Sequence, residues 1–145
     1  MNWAIPLLAD ASPCLRQLVL RELLARPPDD PEVQELDELC PGDPLVIRLL
    51  QAQNADGSWE GESVDRLHAT SQALTRLGYL GLGRDHAAVQ RGAAFVFSQQ
   101  QPDGSWPLFR SHERDGGNID GGYDLISLQT SMPLRGLVAC GYATD

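Results

Sequence analysis

Clustered basic residues, paired cysteines, long apolar runs and alternating apolar–polar stretches are what these 145 residues lack. With 11 basic against 20 acidic residues the formal net charge is −9, and no basic patch offers itself to nucleic acid or to an anionic membrane surface. The three cysteines, Cys14, Cys40 and Cys140, are odd in number and widely spaced. That spacing excludes a zinc-ligand pair local in sequence, argues against a disulfide framework and points to a reducing compartment. The segment Met1 to Asp10 has neither a basic leader nor a long apolar core, and nowhere do about 18 apolar residues follow one another. A cytoplasmic protein without a transmembrane segment is expected, and the rarity of strand-like alternation makes the expected fold class all-α.

What is present is a repeat. Leu49 to Trp59 and Phe95 to Trp106 each run from an apolar helix end through glutamine to Asp-Gly-Ser-Trp, and Trp59 and Trp106 lie 47 residues apart. Self-similarity at this period is the mark of stacked helix pairs. The turn residues are assigned as Gln53, Asp56, Gly57 and Trp59 in one copy and Gln99, Asp103, Gly104 and Trp106 in the other. Asp can bond to backbone two residues on, Gly accepts positive φ, and Trp buries a large area against the helix end.

Around these turns the chain reads as helices with proline-marked starts. Ser12-Pro13, Asp30-Pro31 and Asp43-Pro44 pair a capping side chain with proline at the first helical position. They open helices expected over 13–25, up to Leu39, and from Leu45 to Leu50. Further helices are expected from Val64 to Leu77 with Gly78 as a left-handed cap, from Asp85 to Gln100, and from Asp124 to Ala139 with a kink at Pro133. Leu77-Gly78-Tyr79 is matched with Cys140-Gly141-Tyr142, 63 residues on. The excess over 47 falls in Pro107 to Tyr123, a Gly- and Asp-rich stretch of a length that suggests function or mobility.

The run Arg91-Gly92-x-x-Phe95-x-x-x-Gln99-x-x-x-x-Gly104-x-Trp106 resembles the QW motif of the squalene–hopene and oxidosqualene cyclases. The earlier copy agrees at Leu49, Gln53, Gly57 and Trp59 but lacks the leading basic–small pair. The chain is thus similar to the prenyltransferase and squalene-cyclase repeat superfamily, and the segment 12–24 resembles the N-terminal arm of bacterial members without an assigned reaction. The resemblance implies an incomplete α/α toroid: an N-terminal helical arm over 1–40, then about two and a half helix pairs over 41–145. Helices ending in the turns would be outer, and those following them would be inner and line a cavity.

The cyclases initiate with an acid from an Asp-x-Asp-Asp or comparable motif, whereas the one adjacent Asp pair here, Asp29-Asp30, has Pro27 where the first Asp belongs. No catalytic residue is identified. The zinc of the related protein prenyltransferases is held by Asp, Cys and His, but His68, His86 and His112 have no cysteine near them in sequence, and no metal or cofactor is assigned. Asp115, Asp120 and Asp124 lack calcium-loop spacing and read as loop residues, the last capping a helix. His68, Tyr123 and Asp124 remain cavity candidates, with an ordinary half-exposed helix histidine as the plain alternative for His68. Two functions compete. One is a terpenoid-cyclase-like protein acting on or binding an isoprenoid if completed by further repeats; the other is a non-catalytic helical-repeat module that binds a protein or an apolar ligand. Since no outer helix follows the last inner one, self-association or further repeats are expected.

Overall fold

The computed structural model describes residues 4–61, 65–106 and 127–142. Every regular element among them is helical: α1 Ala4–Leu8, α2 Pro13–Leu18, α3 Pro31–Leu39, α4 Pro44–Gln51, α5 Arg66–Tyr79, α6 Ala87–Ser98 and α7 Ser127–Ala139. A π-helical turn, Val19–Leu23, extends α2, and a 3₁₀ turn, Cys40–Gly42, joins α3 to α4.

Three starts follow the proline signals. Ser12, Asp30 and Asp43 are extended in backbone, and each side chain accepts a hydrogen bond from an early N–H of the helix it opens, with proline at the next position. Two other starts differ from expectation. Asp65 caps α5, and the helix begins at Arg66 rather than Val64, which lies outside the described residues. His86, rather than Asp85, caps α6, its Nδ1 accepting from the Ala88 N–H at 3.2 Å. That bond leaves the neutral ring's proton on Nε2. The short helix α1 carries no signal that the sequence reading used, and the stretch expected as one helix over 13–25 is α-helical over Pro13–Leu18 and π-helical over Val19–Leu23.

The ends of α5 and α7 revise the repeat register. Gly78 is not a cap: α5 continues through Tyr79, and Gly81, at φ +89°, takes the left-handed position. Gly81 N–H bonds to the Gly78 carbonyl and Leu82 N–H to the Leu77 carbonyl, the paired bonds of a Schellman end. At the end of α7, Gly141, φ +85°, bonds to Val138 and Tyr142 to Leu137 in the same pattern. Leu80-Gly81-Leu82 therefore corresponds to Cys140-Gly141-Tyr142, an offset of 60 rather than 63.

With Gly78 freed from capping, its role is at the crossing of α5 and α7. A Cβ there would stand 2.4 Å from the Ala139 carbonyl oxygen, and one on Gly136 would stand 2.7 Å from that of Ser71. The two backbones approach to a distance that only glycine permits. Around the crossing lies the main core, with Trp59, Leu74, Leu77, Val89, Val96, Trp106 and Leu137 all buried. A second cluster, Cys14, Cys40, Val46 and Leu80, ties α2 to α4 and to the end of α5, and a third, Leu20, Val33 and Leu36, holds the N-terminal helices together. Pro133 lies inside α7 and is buried.

Candidate functional site

The first glutamine–tryptophan turn is built from the end of α4. Asn54 N–H donates to the Ser58 carbonyl at 2.8 Å and Gly57 N–H to the Asn54 carbonyl at 3.0 Å, with Gly57 at φ +87°. Asp56 accepts from both the backbone N–H and the hydroxyl of Ser58, bonds that hold its carboxyl below the usual carboxylate range. Trp59 is buried; its indole N–H donates to the Leu49 carbonyl at 2.7 Å, and its backbone N–H donates to the Thr70 hydroxyl on α5 at 3.0 Å.

Gln53 connects this turn to the next helix. Its amide nitrogen donates to the Gly57 carbonyl at 3.0 Å and to the Ala88 carbonyl of α6 at 2.8 Å, while its oxygen accepts from Arg91 at 2.6 Å. Contact with α6 is close throughout. A Cβ on Gly57 would lie 2.4 Å from the Arg91 carbonyl oxygen, and one on Gly92 would lie 2.9 Å from the Trp59 ring.

The second turn repeats the internal bonds. Gln101 N–H donates to the Ser105 carbonyl, Gly104 N–H to the Gln101 carbonyl, and Ser105 donates twice to Asp103, whose carboxyl is also held below its ordinary value. The Trp106 indole donates to the Val96 carbonyl at 2.7 Å, and its backbone N–H reaches the Thr130 hydroxyl at 3.5 Å. The glutamine that bonds to the Gly104 carbonyl, at 3.0 Å, is Gln100. Gln99, the residue expected in that place, caps α6 and donates to Ser98 instead. The offset of 47 from Gln53 also lands on Gln100. Among the described residues the Gln100 amide has no counterpart of Ala88 or Arg91.

Of the cavity candidates, His68 falls among the described residues. His68 is half-buried on α5, its Nε2 2.6 Å from the Gln72 amide, and its backbone N–H donates to Asp65. Tyr123 and Asp124 lie outside the described residues, as do His112, Asp115 and Asp120. Among the described residues no group of three or more His, Cys, Asp or Glu side chains is placed to hold a metal ion. The cysteines are poor nucleophiles in this setting: burial pushes the Cys14 thiol far up, assisted by Cys40 and Asp43, and pushes Cys140 up to about 11. No described helix is long and apolar enough to cross a membrane.

An apolar groove runs where the N-terminal helices meet α4 and α5. One section, of about 490 Å³, is walled by Leu15, Leu18, Leu45, Leu49 and Leu80 together with Arg48 and Arg76. The adjoining section, of about 420 Å³, shares Leu15, Leu18 and Tyr79 and adds Leu7, Leu23 and Arg135. Both volumes are of the size that holds small ligands. Sequence reading missed this groove, because its walls come from three segments distant in the chain.

No family model matches the chain, and no solved structure matches it. Over 105 residues, 69% of its length, the chain is 36% identical to squalene–hopene cyclase of Zymomonas mobilis. Over 100 residues, 67% of its length, it is 31% identical to lanosterol synthase of Candida albicans. These stretches cover 15% and 14% of the two enzymes, so the chain spans about one-seventh of the relatives that it matches.

Proposed function

We propose that the chain is a cyclase-type repeat unit that holds an isoprenoid hydrocarbon and does not itself initiate cyclisation. The similarity to squalene–hopene cyclase over 105 residues carries this reading. The paired turns support it, since each pins an outer helix end to the following helix through the same indole and threonine bonds. On this reading α5 and α7 form the inner layer of an incomplete toroid and α4 and α6 the outer one. Protonating an alkene needs a carboxylic acid placed at the substrate and kept protonated. The Asp-x-Asp-Asp pattern is absent from the sequence, and the described carboxylates with resolved shifts, Asp30, Asp43, Asp56 and Asp103, are all held below their ordinary values.

The test is to incubate the purified chain with squalene in mild detergent, following binding by equilibrium partition and products by gas chromatography with mass spectrometry. Saturable binding with squalene recovered unchanged is expected. Absence of saturable binding overturns the isoprenoid reading, and a cyclised product overturns its non-catalytic half.

A further inference from the structure

The groove between α2, α4 and α5 has a polarity that a pure hydrocarbon would not use. Its larger section is walled by leucines, and its charged lining residues are two guanidinium groups, Arg48 and Arg76, with no carboxylate beside them in that lining. Arg48 Nε donates to the Pro44 carbonyl at 3.2 Å, neither side chain forms an ion pair among the described residues, and the Arg76 guanidinium has no hydrogen-bond partner among them. All basic residues of this chain are arginine, and 20 acidic residues were available to pair with 11 of them. Arg48 and Arg76, in the lining of one apolar pocket and without an ion pair among the described residues, form a local positive site in an acidic molecule.

The smaller section differs in sign. Asp10 and Glu22 stand in its lining, and its one cation, Arg135, is engaged by Tyr79, donating to the phenol oxygen at 3.3 Å and lying 5.9 Å from the ring centre. An anion is thus favoured at the Arg48–Arg76 end and disfavoured at the other. The leucines shared by the two sections, Leu15 and Leu18, make a continuous apolar track between the ends.

From this arrangement we infer that the groove binds a linear single-chain lipid anion, with its oxyanion head between Arg48 and Arg76 and its alkyl chain along Leu15 and Leu18. A guanidinium presents parallel N–H donors that match a carboxylate or phosphate oxygen pair. The leucine walls supply the area-proportional burial that retains the chain. The site shares Leu49, whose carbonyl accepts the Trp59 indole, with the first glutamine–tryptophan turn but uses none of that turn's bonding side chains, and the inference stands whether or not squalene is held elsewhere on the molecule.

Isothermal titration of the full chain with decanoate, decyl phosphate and decyltrimethylammonium, each below its micellar concentration, tests it. Both anions are expected to bind one to one and at least about tenfold more tightly than the cation of equal chain length, the preference shrinking as salt rises. The ratio of decanoate to decyl phosphate affinity distinguishes a fatty acid from a phosphorylated lipid as the source of the head. The double variant Arg48→Gln, Arg76→Gln should lose about tenfold in anion affinity and the salt dependence with it, while Arg48→Lys, Arg76→Lys should retain most of both. Both arginines are exposed, so the variants should keep the wild-type circular dichroism. Equal binding of anion and cation, or unchanged anion affinity in the glutamine variant, overturns the proposal.

Discussion

Trp106 combines two contributions at one residue, a ring only 2% exposed and an indole N–H satisfied by the Val96 carbonyl. Trp106→Ala should therefore cost about 3–5 kcal/mol, as other large-to-small core changes do. Trp106→Phe should cost less, since it keeps most of the ring and leaves one buried acceptor unmet. Thermal or urea melts check both, and an unchanged midpoint for the alanine variant would remove the structural role. Asp43 makes a different single-residue prediction. It is 1% exposed; burial alone would raise its pKa, but donation from the Ser12 hydroxyl and from the Leu45 and Cys14 N–H groups outweighs burial and holds the carboxyl below its ordinary value. A lowered native pKa means stability that is present above the unfolded value of about 3.9 and is lost as pH falls through the native one. Asp43→Asn should lower the melting temperature at pH 7 and flatten its fall below about pH 4. A parallel downward shift at every pH would contradict the assignment.

At the scale of elements, the crossing of α5 and α7 depends on two glycines that let the backbones meet within the core that both helices share. Gly78→Ala would place a methyl 2.4 Å from the Ala139 carbonyl oxygen, and neither backbone can yield without moving a helix. Although alanine is the better helix former by about 1 kcal/mol, the clash should prevail, with a net loss of about 1–3 kcal/mol. A denaturant midpoint equal to or above that of the wild type would show that the helices separate freely. Gly78 also marks where sequence reading stopped being sufficient: a glycine near an apolar helix end fits a cap or a close packing contact equally well. The starts at Ser12, Asp30 and Asp43 were legible because proline follows each capping side chain, a signal contained in two residues. Those at Asp65 and His86 have no such proline. Gln53, Gly57 and Trp59 could be read from their repeat, but the partners that give Gln53 its role, Ala88 and Arg91, lie 35 and 38 residues away.

For the whole molecule, exposed apolar side chains set the expectation. Leu134 and Val138 on α7 are 46% and 55% exposed, and Ile5 and Leu7 on α1 are 61% and 43% exposed. Such surface favours association. Light scattering over a concentration series should show an apparent mass rising above the 15.8 kDa of one chain, and Leu134→Ser with Val138→Ser should reduce that rise. A mass independent of concentration would indicate that the exposed side chains are too scattered to form an interface.

The bonds from Trp59 to Thr70 and from Trp106 to Thr130 join equivalent points across 11 and 24 residues of chain. The entropic cost of bringing two chain positions together grows only with the logarithm of their separation, so the longer span costs about 0.7 kcal/mol more to close than the shorter. A segment clamped at both ends and so weakly penalised for its length is a natural place for sequence to be gained or lost over evolutionary time. It is equally a site at which a reporter domain or an affinity tag can be spliced into the chain, leaving the clamping residues at either end unchanged.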